Sequence, residues 1–175
     1  MLNNSKIYII GMMGTGKTTI GKMLSDNLGF NFYDTDQIID SESYLKKNSL
    51  EKFRKQETTV LKELDSKNLN SIISTGGGII ESIRNREILK KNFCIHMQAD
   101  INTIAFRINK HKIHRPLVVK KNDGEIDIKN LLNMYNTRKK YYCDLESLAI
   151  ITDNKKTEDI VIEIKEKLIQ YGIIS

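Results

Sequence analysis

Residues 6–19 read KIYIIGMMGTGKTT. The run Ile7-Tyr8-Ile9-Ile10 is short and apolar without alternation, which predicts a strand buried on both faces of a sheet. Directly behind it, Gly11, Gly16, Lys17 and Thr18 fit the spacing G-x-x-x-x-G-K-[ST]. At that spacing the glycines let backbone N–H groups wrap a phosphate, and a helix opening near Lys17 points its positive end at the same place. A ligand-free glycine turn would account for Gly11 and Gly16 but not for the Lys-Thr pair. Gly14, Thr15, Gly16, Lys17, Thr18 and Thr19 are therefore the candidate nucleotide-binding residues. Lys17 is placed to reach the β- and γ-phosphates, and the Thr18 hydroxyl is placed to ligate Mg²⁺.

Outward from this stretch, short apolar runs alternate with longer helical patterns. Strands are expected at Lys6 to Ile10, Asn31 to Tyr33, Ser71 to Ser74, Phe93 to Gln98 and Leu148 to Thr152. Helices are expected at Lys17 to Leu28, Thr35 to Leu45, Leu50 to Ser66, Ser82 to Lys90, Ile101 to Ile108, Asp127 to Tyr142 and Thr157 to Tyr171, the last with Thr157 as its N-cap. The alternation implies an α/β fold in three layers, a parallel sheet between helices, formed by one domain over residues 1–175. Residues 109–125 have weak periodicity and contain the sole proline, Pro116, and are expected to form a mobile lid.

Composition narrows the class. Of 175 residues, 39% are hydrophobic and 29% charged, as in a soluble globular protein. No apolar run approaches the roughly 20 residues that span a bilayer, and no leader-type block precedes the first strand, so a cytoplasmic location without a membrane partner is expected. The two cysteines, Cys94 and Cys143, stand apart from each other and from histidines. They indicate neither disulfide nor zinc and are expected to be buried. The net charge of +6 is spread through a chain rich in Lys, Asn and Ile. No apolar surface stripe is left over, which favours a monomer.

The phosphate loop does not choose between motors, GTPases and small-molecule kinases. Other residues do. In YDTD, Asp34 and Asp36 stand at the carboxyl end of the second strand, two residues apart and so on one side of an extended segment. Helix capping is the plain alternative there. In the helix from Leu50, Leu50, Phe53, Val60, Leu61 and Leu64 form an apolar stripe that includes Glu57, with Arg54 three residues earlier as its neighbour. Such a pair is either a surface ion pair or a carboxylate aiming a guanidinium at an anionic ligand. In the helix from Asp127, the spacing of Leu131, Tyr135, Arg138 and Tyr142 puts a second arginine on the inward face. STGGG, Ser74 to Gly78, ends the third strand and offers backbone as a binding wall. From Ile101 to Asn122 every charged residue is basic, with Arg115 held beside Pro116 as the candidate to touch a transferring phosphate. A small kinase acting on gluconate or a nucleoside monophosphate, or a nucleotide-dependent module on nucleic acid, would share part of this pattern.

Taken in chain order, GMMGTGKT, DTD, FRKQE, TGGG, RPL and the YNTRKKYY segment around Arg138 resemble the motif set of the shikimate kinases over nearly the whole chain. The resemblance implies a P-loop kinase fold with a five-stranded parallel sheet and a mobile lid. It implies ATP with Mg²⁺ as donor and the 3-hydroxyl of shikimate as acceptor, with no nucleic-acid partner. It further implies that Asp34 helps hold the metal with Thr18, that Asp36 binds the acceptor hydroxyls as a possible base, and that Arg54 and Arg138 grip its carboxylate. Gly77 and Gly78 then line the acceptor wall, Lys17 and Arg115 act on the transferring phosphoryl group, and Asn154 lies at the adenine. The interval from Arg107 to Arg115 is one residue longer than usual, so Arg107 is assigned no contact.

Overall fold

The computed structural model describes residues 5–110 and 124–174. The order is β1 (Lys6–Ile10), α1 (Lys17–Leu28), β2 (Asn31–Asp34), α2 (Thr35–Ile39), α3 (Ser41–Lys47), α4 (Leu50–Ser66) and β3 (Ser71–Ser74). A 3-10 turn over Ile79–Glu81 precedes α5 (Ile83–Leu89), β4 (Phe93–Gln98), α6 (Ile101–Lys110), α7 (Ile128–Leu145), β5 (Leu148–Ile151) and α8 (Thr157–Gln170).

All strand pairs are parallel, in the order β2-β3-β1-β4-β5. The central strand shows why its sequence is uniformly apolar. Ile7, Tyr8, Ile9 and Ile10 are fully buried, between one apolar cluster that includes Phe53, Leu61 and Tyr142 and a second that includes Ile20, Leu24, Ile160 and Ile164. The edge strand β5 alternates instead, with Leu148 and Ile150 buried and Ala149 and Ile151 exposed. From β1 the chain passes to β2 on one side, and it later crosses β1 in going from β3 to β4. The carboxyl ends around β1 therefore form the crevice where ligands bind in open parallel sheets.

Several helix starts follow from local chemistry. The Ser49 hydroxyl accepts from the Lys52 N–H to open α4, and Asp127 accepts from the Asn130 N–H to open α7. The long helix expected from Thr35 to Leu45 is broken into α2 and α3 by Asp40, whose φ of 49° is left-handed. Thr157 is the first residue of α8 and not its cap, a position held by Lys156 without a side-chain bond. Leu50 is exposed because it begins α4 before the stripe turns inward. Cys94 is buried, its thiol pushed up to about 12 by burial, whereas Cys143 is exposed on the outer side of α7. Asn109 and Lys110, expected in the lid, are the last turn of α6. The rest of the expected lid up to residue 123, including Arg115 and Pro116, lies outside the described residues. Among the described residues no helix is long and apolar enough to cross a membrane.

Candidate active site

The loop between β1 and α1 curls through three left-handed glycines: Gly11 at φ 137°, Gly14 at 78° and Gly16 at 91°. A Cβ at Gly11 would lie 2.4 Å from the Met97 carbonyl oxygen, so the loop seats against β4 only with glycine there. Gly16 caps α1 and leaves the first N–H groups of that helix facing the loop. The Lys17 ammonium is nearly buried and donates to the Met12 carbonyl at 2.8 Å, and the Thr15 hydroxyl donates to the same oxygen at 2.8 Å. The lysine is thus held along the concave side of its own loop.

The two aspartates divide. Asp34 is buried, accepts the Thr18 hydroxyl on Oδ2 at 2.6 Å, and with Oδ1 accepts the N–H groups of Asp36 and Gln37. It is both the cap of α2 and an oxygen beside Thr18. Asp36 is half-buried and accepts from the Ser41 hydroxyl at 3.0 Å. Thr18 and Asp34 supply hard oxygen donors only, the set preferred by Mg²⁺, which keeps waters and phosphate oxygens for its other positions. Among the described residues no cluster of three or more His, Cys, Asp or Glu side chains gathers as a metal cage.

A cleft of about 370 Å³ joins these parts, walled by the phosphate loop with Lys17, Thr18 and Thr19, by Asp34 and Asp36, and by Gly77. Arg107, to which the sequence assigned no contact, also lines it. Its guanidinium donates to the Gly14 carbonyl, and to the hydroxyl and carbonyl of Thr152 at 2.9 and 2.8 Å, tying the loop to the end of β5. Counting residues to Arg115 could not reveal this, because the partners lie far away in sequence. Asn154 is exposed in the turn after β5, with φ 55°, outside the residues that line this cleft.

Beside the cleft the two predicted arginines converge. Arg54 on α4 donates from Nη1 to Glu57 at 2.6 Å and from Nη2 to Glu81 Oε2 at 2.7 Å. Arg138 on α7 donates from Nε and Nη2 to Glu81 Oε1 at 2.8 and 2.6 Å. One carboxylate therefore spans two guanidiniums from different helices. Arg138 is 4% exposed and Glu57 1%. The Arg54 Nε is buried with no hydrogen-bond partner among the described residues. Burial pushes the Glu57 carboxyl up to about 7, opposed by Arg54 and reinforced by the negative charges of Asp36 and Glu81. Glu81 was not singled out in the sequence, since it follows the glycines in a 3-10 turn where no periodicity marks it.

The glycine run packs between these groups. A Cβ at Gly76 would sit 2.7 Å from Asp36 Oδ1 and 3.0 Å from Glu57 Oε1, and one at Gly78 would sit 2.3 Å from both terminal nitrogens of Arg54. Gly77 accepts the Tyr142 hydroxyl on its carbonyl at 2.5 Å. Behind Tyr142, His96 stacks at 5.0 Å and hydrogen-bonds Glu146, its pKa lowered by burial in spite of that carboxylate. It is packed, as its position in a strand implies.

Residues 13–169 match the family model described as shikimate kinase. The chain belongs to the shikimate kinase family. A shikimate kinase of Bacillus cereus (strain G9842) is 38% identical over 169 residues, covering 93% of this chain and 97% of the relative. A solved shikimate kinase from Acinetobacter baumannii, in complex with shikimate, superposes with a TM-score of 0.85 at 29% identity over 95% of this chain and 94% of that one. The shikimate kinase of Aquifex aeolicus superposes at 0.73 with 28% identity, over 97% and 99%. These shikimate kinases share the five-stranded P-loop kinase architecture found here.

Proposed function

We propose that this member of the shikimate kinase family transfers the γ-phosphoryl group of ATP to the 3-hydroxyl of shikimate, giving shikimate 3-phosphate and ADP. The observation that carries the reading is the meeting of Arg54 and Arg138 at a single carboxylate beside the phosphate loop. Two guanidiniums from separate helices, both set among apolar neighbours, suit a planar anionic group on a small acceptor better than a hydrated surface.

On this reading the acceptor carboxylate binds Arg54 and Arg138, with Gly77 and Gly78 as the wall that lets its ring approach. Asp36 orients the 3-hydroxyl and takes its proton as the oxygen attacks phosphorus. The bond from the γ-phosphorus to the β,γ-bridging oxygen breaks, and ADP leaves. Gly14, Thr15, Gly16 and Thr19 hold the polyphosphate through the loop backbone and helix start, while Lys17 balances charge as it moves toward the bridging oxygen. Thr18 and Asp34 are the residues that would hold Mg²⁺, which shields the phosphate charge when bound. Arg107 adds to the nucleotide side of the cleft. Arg115, as lid arginine, and Asn154, beside the adenine, rest on the family resemblance. Because one chain supplies every group named, we take the enzyme to act as a monomer on small molecules in the cytoplasm, without nucleic acid or membrane.

The test is ADP release by purified protein offered ATP, Mg²⁺ and one acceptor at a time. Shikimate is expected to drive release, with shikimate 3-phosphate identified by mass, while gluconate and nucleoside monophosphates do not. Arg54→Ala and Arg138→Ala are expected chiefly to raise the KM for shikimate, and Lys17→Ala to abolish turnover. Equal shikimate affinity in all three variants would overturn the assignment.

A further inference from the structure

The arginine pair already holds a carboxylate, and it belongs to the chain itself. Glu81 places Oε1 on Arg138 and Oε2 on Arg54, at 2.6–2.8 Å, dividing its oxygens between two guanidiniums as a bound ligand carboxylate would. We propose that Glu81 is an internal counter-carboxylate that occupies the Arg54–Arg138 fork until the carboxylate of the acceptor displaces it. This inference rests on the acceptor assignment above.

Three observations separate Glu81 from a fixed structural acid. First, Glu57 is the buried partner of Arg54, 1% exposed, whereas Glu81 is 38% exposed and has a route to water. Second, its backbone is anchored independently of its side chain: the Glu81 N–H donates to the Gly78 carbonyl at 3.0 Å, and Arg86 donates to the Glu81 carbonyl at 3.1 Å. The side chain can rotate out while the 3-10 turn stays. Third, Arg54 retains a buried Nε without a partner among the described residues, so their arrangement leaves donor capacity unused on the residue proposed to bind the acceptor.

The physical logic is charge balance. Arg138 is nearly fully buried, and a buried guanidinium without a counter-anion is strongly disfavoured. Glu81 supplies that anion in the free protein. An arriving carboxylate exchanges for it, and the released carboxylate regains water. A neutral acceptor has nothing to offer in exchange and leaves Glu81 in place, so the same contact selects for acids. The cost is affinity, because acceptor binding is weakened by the fraction of molecules in which the fork is occupied.

The experiment compares wild type with Glu81→Gln and Glu81→Ala, measuring KM for shikimate, KM for ATP and kcat, with shikimate methyl ester as a second acceptor. If the fork is occupied in about nine-tenths of free molecules, the KM for shikimate falls about ten-fold in both variants. ATP KM and kcat move far less, and the methyl ester gains no comparable advantage. An unchanged or higher shikimate KM in the variants overturns the proposal and makes Glu81 a scaffold for the arginines. A structure of wild-type protein with shikimate bound checks it without any variant: Glu81 must have left both guanidiniums, and its retention on them overturns the idea. Failure of the acceptor assignment looks different, since wild type itself would then release no ADP in response to shikimate.

Discussion

The Tyr142 hydroxyl donates to the Gly77 carbonyl at 2.5 Å, fastening the last turn of α7 to the glycine wall of the cleft. Arg138 sits one turn earlier on the same helix, so this bond fixes both the wall and the approach of the arginine proposed to bind the acceptor. Tyr142→Phe keeps the ring and its stack on His96 but leaves a buried carbonyl without its donor. A net loss of about 1 kcal/mol is expected, lowering Tm by roughly 2–4 °C. The KM for shikimate should rise with it, while the KM for ATP stays. Unaltered melting and acceptor KM would show that the bond positions nothing.

Gly78 is a second position where shape alone can be tested. Its φ of −98° is open to any residue, so alanine meets no backbone objection. The added methyl would instead fall 2.3 Å from the Arg54 guanidinium nitrogens and push that group off its carboxylates. Losing charge-assisted bonds of this kind is expected to raise the shikimate KM about ten- to a hundred-fold with little change in ATP KM. Steady-state kinetics in both substrates decides it, and equal effects on the two would point to general misfolding.

Much of this site was legible in the sequence because the information is local. The phosphate loop is fixed by residues within one turn and one helix start. Arg54 and Arg138 are betrayed by helical spacing on otherwise apolar faces, and both prove to face inward. What was not legible depends on tertiary convergence. Glu81 has no periodic signature, and its meaning arises only where α4 and α7 meet over the 3-10 turn. Arg107 carries no assignment from the sequence because spacing to Arg115 says nothing about Thr152, which the sheet brings beside it. The break at Asp40 was hidden for another reason. One left-handed residue interrupts the hydrogen bonds without disturbing the apolar pattern that predicted a single helix.

Asp34 performs two tasks that substitution can separate. One oxygen caps α2 and the other faces Thr18. Asparagine caps helices about as well as aspartate, whereas alanine loses the cap at roughly 1–2 kcal/mol. Asp34→Asn should therefore melt close to wild type, and Asp34→Ala several degrees lower. Both should need more Mg²⁺ for half-maximal activity, since both lose the charge beside Thr18. A Mg²⁺ requirement that tracks the loss of Tm, and not the loss of charge, would mean that Asp34 is only a cap.

Glu57 gives a pH dependence with a definite sign. Its carboxyl is raised to about 7 from an ordinary 4.5, first by burial, with Arg54 pulling the other way. Between those values the folded protein keeps a proton that the unfolded chain releases, so the contribution of Glu57 to stability is fully present below about pH 4.5 and is lost as pH rises through 7. Glu57→Gln, neutral at every pH, lacks this loss. Melting curves of both proteins from pH 5 to 8.5 should show wild type losing ground to the glutamine variant as pH rises through about 7, other titrating groups being common to the pair. If the wild type gains on the variant as pH rises, the attraction to Arg54 outweighs desolvation, and Glu57 is a net anchor for that arginine at neutral pH.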